Sequence, residues 1–344
     1  MYIYPLFFIF NHNYKWVIMI KIVYITEKGR NSARKIENIL KYYRYLSSTY
    51  HLKDFQIEGK EKGFIFIMAV GIVIRKYIEE IKDDKTRDPF VIVVDENGKY
   101  VIPLLSNHLG GGNYFSKLLE GELGGMAVLT TATDTNNKVG IDELSRMYFL
   151  ETPKRKDILR INRKILEEKV DLYQPRNWKV IDRRIYNTYN VHHHDRDYIV
   201  VDDVILPKKY LVVGLGCRKG IETWKVYWTV KKALYIRDIP PWRVDGFATV
   251  DIKRNERGIL ETVERLRGEL YTFTREEIMD IYKVRDDLEK SPFVFKSLGI
   301  YGVSEPVSIL GVSKLKGDNI DPRGVDLILR KFKNIGVTVS ISVG

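Results

Sequence analysis

Two stretches of the chain set polar and titratable side chains among small residues, directly after apolar runs. One is Leu104-Leu105-Ser106-Asn107-His108-Leu109-Gly110-Gly111-Gly112-Asn113, and the other is Leu129-Thr130-Thr131-Ala132-Thr133-Asp134. Open α/β sheets bind ligands in such places, where strands give way to loops. His108 carries an imidazole and Asp134 a carboxylate; either can activate a water molecule. Gly110 and Gly111 let the backbone approach a ligand closely and offer N–H groups to a developing oxyanion or a carboxylate. Asn113 is expected to cap a helix that starts there. Thr130 and Thr131 add hydroxyls from the second loop.

A second set of candidates lies near position 214. Gly214-Leu215-Gly216-Cys217-Arg218-Lys219-Gly220 follows an apolar run and precedes a helical pattern. It has neither the glycine spacing of a dinucleotide fingerprint nor the Gly-Lys-Ser/Thr of a phosphate loop. One reading is an anion cradle, in which Gly214 and Gly216 approach a carboxylate that Arg218 and Lys219 hold. The other is a tight turn with exposed cations. Cys217 is read as a small buried turn residue or as a nucleophile. Asp251 and Lys253 are expected on one face of a strand end, as an ion pair or facing a ligand. Glu305 precedes Pro306 at a helix start, as a cap or a general base. His192, His193 and His194 form a polar loop or part of a metal site; no metal ligand is assigned.

The elements around these residues alternate. Strands are expected at 20–25, 64–68, 91–95, 100–105 and 127–129, with helices over 32–43 and 72–81 and from the glycine loop to Leu123. Asn97-Gly98 marks a hairpin. A second α/β unit starts at Tyr210 and ends in a strand over 337–343. The fold class is therefore two α/β domains with mostly parallel sheets, joined by a smaller middle segment. The expected boundaries are 19–150, 151–207 and 208–344. Residues 1–18 are read as an extension preceding the native start at Met19, with an amphipathic anchor as the other reading.

Lysine and arginine number 57 against 45 acidic residues, a net charge of +12. That excess favours an acidic partner: a polyanionic small molecule, a membrane surface or nucleic acid. The cations are scattered, which favours the small molecule over nucleic acid. A single cysteine excludes an intrachain disulfide, and a cytoplasmic setting is expected.

Taken together, the motifs resemble the cobalamin-biosynthesis protein CbiG family. Val91-Ile92-Val93-Val94-Asp95-Glu96-x-Gly98, the His108 loop and the Asp134 loop are similar to its N-terminal region. The Gly214 motif, Asp251-x-Lys253-x-x-Glu256-x-Gly258-x-Leu260 and Gly302-Val303-Ser304-Glu305-Pro306 are similar to its C-terminal domain. The family usually has Gly where Asn107 stands and Ala where Gly112 stands. The resemblance implies cobalt-precorrin-5A hydrolysis: water opens a ring lactone and acetaldehyde is released. A non-catalytic corrinoid carrier is the alternative. The implied substrate is a macrocycle rich in carboxylates, which suits the charge of this chain. It brings its own cobalt, so no cofactor is expected. Neither a nucleic-acid nor a membrane partner is expected, and a homodimer is possible. His108, Asp134 or Glu305 is expected to activate water. Gly110, Gly111, Asn113, Thr130, Thr131, Gly214, Gly216, Arg218, Lys219 and Lys253 are expected to bind substrate.

Overall fold

The structure is a computed structural model and describes residues 19–83, 87–317 and 321–344. The expected extension at 1–18 lies outside the described residues. The described chain forms two compact units, one of residues 19–147 and 152–206, the other of residues 148–151 and 207–344. It is mixed α/β with three sheets, in which parallel pairings outnumber antiparallel ones. No helix among the described residues is long and apolar enough to cross a membrane.

The first unit is built on strands β1 (Ile20–Tyr24), β2 (Ser47–His51), β3 (Gly63–Ile67), β4 (Phe90–Val94), β5 (Tyr100–Leu105) and β6 (Met126–Ala127), in the order β2-β1-β3-β4-β5-β6. β1, β2, β3 and β4 run parallel. β3 and β4 are buried throughout, so they read as continuous apolar runs. The Asn97-Gly98 hairpin reverses the chain, and β5 pairs antiparallel with β4. β6 runs parallel to β5. The carboxyl ends of β5 and β6 therefore lie at the end of the sheet opposite those of β1, β3 and β4. The two polar loops leave from that end.

Some boundaries differ from expectation. The first helix runs over Glu27–Tyr42 and starts early because Thr26 caps it, accepting from the Gly29 N–H at 3.1 Å. The helix expected over 72–81 is broken into Val70–Lys76 and Ile78–Ile81. At the break, Tyr77 stacks on Phe66 with ring centres 5.3 Å apart.

The same unit carries a second sheet of β7 (Val170–Pro175), β8 (Tyr189–His194), β9 (Tyr198–Val201) and β10 (Val204–Pro207), ordered β10-β9-β7-β8. Helix Arg155–Glu167 leads into β7 and buries Ile161 and Ile165.

The second unit holds β11 (Leu211–Cys217), β12 (Gly246–Val250), β13 (Leu270–Phe273), β14 (Asp326–Asn334) and β15 (Val337–Val343), ordered β13-β12-β11-β15-β14. β11, β12 and β13 are parallel, and β15 is antiparallel to both β11 and β14. Helix Ser304–Lys316 lies directly on β11. A Cβ on Gly214 would stand 2.0 Å from the Ser304 carbonyl oxygen, and one on Gly311 2.6 Å from Val212. The contact is close because both elements present glycine where they meet.

Candidate active site

The loop after β5 is a tight knot. Ser106 takes a left-handed φ of 52°, and Gly111 a φ of 98°. A Cβ on Gly110 would stand 2.0 Å from Ser106 Oγ. Helix Gly112–Leu123 starts one residue before Asn113, with Gly111 at its cap position. The expected capping role of Asn113 is therefore corrected: only glycine reaches the Gly111 backbone conformation cheaply, and it makes the turn. The Asn113 amide is released for other work.

That work is done on Asp134, which sits in the short helix Ala132–Thr135. Asn113 Nδ2 donates to Asp134 Oδ2 at 2.6 Å and reaches Thr131 Oγ1 at 3.2 Å. The Thr131 hydroxyl donates to the same Asp134 oxygen. His108 Nε2 lies 3.8 Å from it, with both side chains mostly buried. Arg146, from helix Ile141–Met147, donates to the His108 carbonyl and fixes the loop. His108, Asn113, Thr131 and Asp134 thus converge, while Thr130 is exposed beside them.

The N–H groups of residues 110–113 divide into two pairs. Those of Gly112 and Asn113 are spent on the Ser106 and Asn107 carbonyls, at 3.1 and 2.9 Å. Gly110 and Gly111 are buried, and neither N–H makes a backbone bond as short as these among the described residues. The loop therefore holds two adjacent donors beside a His–Asp pair. Such a set can take a proton from water and stabilise an oxyanion.

Sequence reasoning missed Glu143, Arg146, Asp182 and Arg184. Glu143 is buried and accepts from Arg184 Nη2 at 2.7 Å. Burial pushes its carboxyl above the ordinary glutamate range, and the Asp134 charge adds to this; Arg184 and Arg146 oppose it. No local pattern links positions 143 and 184. The one signal was an acid and a base on the short helical segment after Asp134.

In the second unit, Gly214 and Gly216 lie inside β11. A Cβ on Gly216 would meet Thr338 Oγ1 at 2.5 Å. Their small size serves packing at these positions. Arg218 and Lys219 are exposed just past the strand, with Gly220 donating to Glu256 Oε1 at 2.8 Å. Lys253 is paired with Glu256 at 2.9 Å. Asp251–Lys253 forms a turn of 3₁₀ helix, which corrects the expected strand alternation.

Glu305 is buried. Its Oε2 accepts from the Glu289 N–H at 3.2 Å and its Oε1 from the Lys331 N–H at 3.1 Å. Both oxygens tie backbone segments together.

Burial pushes the Cys217 thiol up to about 11; Lys253 opposes the shift and Glu256 adds to it. A nucleophilic thiolate is therefore scarce at neutral pH. Alkylation of Cys217 by iodoacetamide should be slow at pH 7.5 and should rise about tenfold per pH unit toward pH 10. Mass spectrometry of the labelled peptide checks this; rapid labelling at pH 7.5 would restore the nucleophile reading.

His192 stacks on Tyr173 and reaches Asp171 Oδ1 at 3.3 Å, His193 lies 3.4 Å from Gln174 Nε2, and His194 accepts from the Arg196 N–H. Among the described residues, no three His, Cys, Asp or Glu side chains are grouped to hold a metal ion.

Comparison with known proteins bears on this geometry. The family model described as cobalamin synthesis G N-terminal matches residues 56–134, and the one described as cobalamin synthesis G C-terminus matches residues 211–342. The chain belongs to the CbiG family. The first match ends on Asp134 and takes in the whole His108 loop. A protein of Methanocaldococcus jannaschii named probable cobalt-precorrin-5A hydrolase is 58% identical over 326 residues, 94% of this chain and 99% of its own. The cobalt-precorrin-5A hydrolase of Priestia megaterium is 26% identical over 81% of this chain and 78% of its own. The crystal structure of a cobalamin biosynthesis protein G homologue from Sulfolobus solfataricus shares the fold. Its TM-score is 0.59 at 21% identity, covering 94% of this chain and 96% of that one.

Proposed function

We propose that the chain is a cobalt-precorrin-5A hydrolase. It opens the ring lactone with water and releases acetaldehyde to give cobalt-precorrin-5B. One observation carries the activity: 58% identity to a protein of that name along nearly the full length of both chains.

The site geometry supports particular roles within this reading. His108 is the general base. Asp134 orients it and stabilises the imidazolium that forms, because its Oδ2 already accepts from Asn113 and Thr131. The 3.8 Å separation closes when substrate binds, since catalytic hydrogen bonds are often long in ligand-free sites. Gly110 and Gly111 present their N–H groups to the oxyanion of the opening lactone. Glu305 is left out of the chemistry, both its oxygens being occupied. The cobalt arrives with the substrate.

Arg218 and Lys219 hold peripheral carboxylates of the macrocycle. Arg218→Ala should weaken substrate affinity by about tenfold at low salt, with a smaller effect at high salt. Affinity unchanged at low salt would leave Arg218 a solvated surface residue.

Anaerobic incubation with cobalt-precorrin-5A tests the activity. Acetaldehyde in proportion to substrate consumed is expected. Tight binding without acetaldehyde would make the protein a carrier.

A further inference from the structure

Helix Ile141–Met147 reaches the site twice. Arg146 holds the His108 carbonyl, and Glu143 stands one turn earlier on the same helix. The Glu143 side chain is about 10% exposed. Its Oε1 accepts from Arg184, and its Oε2 is buried with no hydrogen-bond partner among the described residues. Arg184 is itself gripped by Asp182, with Nη2 2.7 Å and Nε 2.9 Å from Asp182 Oδ2. Both Asp182 and Arg184 come from the segment between the two matched family regions. A buried carboxyl with an unused oxygen calls for an explanation. This one sits in the field of four charged groups. Arg184 and Arg146 favour its charge, Asp134 opposes it, and Asp182 acts through Arg184.

We infer that Glu143, set in place by Arg184 and Asp182 of the middle segment, is a positioning residue for the His108–Asp134 pair. The inference rests on the reading of that pair as the hydrolytic site. The coupling is electrostatic. When His108 takes a proton from water, a positive charge forms 3.8 Å from Asp134, and the charges of Asp134 and Arg146 are both felt at Glu143. A low-dielectric surrounding strengthens the interaction of Glu143 with that charge. Removing the Glu143 charge weakens the imidazolium, so His108 becomes a poorer base and releases its proton at lower pH. The middle segment thereby belongs to the catalytic apparatus.

The test uses Glu143→Gln, which keeps the shape and the acceptor for Arg184, together with Arg184→Lys, which keeps the cation. Two readouts are needed: the pH profile of acetaldehyde release, and the titration of the His108 imidazole by NMR, which requires no turnover. Glu143→Gln should lower kcat by about tenfold or more with KM nearly unchanged. It should also move both the acid limb of the profile and the His108 titration to lower pH. Arg184→Lys should retain most of the activity, and it keeps the test alive if the glutamine variant does not fold. An unchanged His108 titration in folded Glu143→Gln, with unchanged kcat, overturns the inference and leaves the hydrolase reading intact. A shifted His108 titration in a chain that releases no acetaldehyde supports the coupling and overturns the hydrolase reading instead.

Discussion

Asp134→Asn or His108→Ala should lower turnover of cobalt-precorrin-5A by about a hundred- to ten-thousand-fold, the usual span for loss of acid–base catalysis. Asparagine at 134 can still accept from Asn113 and Thr131, so the loop keeps its shape. It cannot carry the charge that orients and stabilises His108. Alanine at 108 removes the base outright, and Arg146 keeps its bond because that bond goes to the main-chain carbonyl. Both variants should therefore fold, which circular dichroism checks, and both should still bind substrate. The two effects should not add, because the residues act as one unit. Near-normal turnover in both would remove the pair from the chemistry.

Gly214→Ala is expected to cost more than a typical substitution. Its Cβ would stand 2.0 Å from the Ser304 carbonyl and 2.9 Å from both Ser308 Cβ and N. Backbone at both points leaves no flexible side chain to swing away, so helix Ser304–Lys316 must lift from β11. Overpacking of this kind costs about 1–3 kcal/mol and occasionally more, and this contact belongs at the upper end. Against a total stability of about 5–15 kcal/mol for a typical protein, the loss is easily read. The urea midpoint should fall with little change in slope. Unchanged stability with lost substrate affinity would instead make Gly214 part of an anion cradle.

Gly214 also illustrates what a sequence conceals. A Gly-x-Gly before two cations reads locally as a loop, yet the strand runs through both glycines because a distant helix needs the room. The reverse holds at β15 and at the Asn97-Gly98 hairpin. Alternation and turn chemistry are local there, and both are where the pattern puts them. β2 went unread because Ser-Ser-Thr-Tyr-His is polar and half-buried on every residue, as an edge strand can be. The four-stranded sheet went unread for a similar reason: β7 alternates buried and exposed residues and is half polar, and β8 ends in three histidines. In the candidate site, the residues that meet around Asp134 were legible as residue types in two loops. Their convergence was not, because it depends on helix Gly112–Leu123 carrying the chain back to set β6 parallel beside β5. Nor was the use of the Gly112 and Asn113 N–H groups on the Ser106 and Asn107 carbonyls. The Glu143–Arg184 bond spans 41 positions and has no local trace.

The most direct test of the account is a single turnover of cobalt-precorrin-5A in water enriched in oxygen-18. Attack by water activated at His108 on the lactone carbonyl places one labelled oxygen in the carboxylate of the macrocyclic product. Wild-type protein should give singly labelled product at the rate of acetaldehyde release, and His108→Ala should slow the labelling as much as the turnover. Product that forms at the wild-type rate without label would show that the lactone opens without water adding to its carbonyl, and the site would have to be assigned other chemistry.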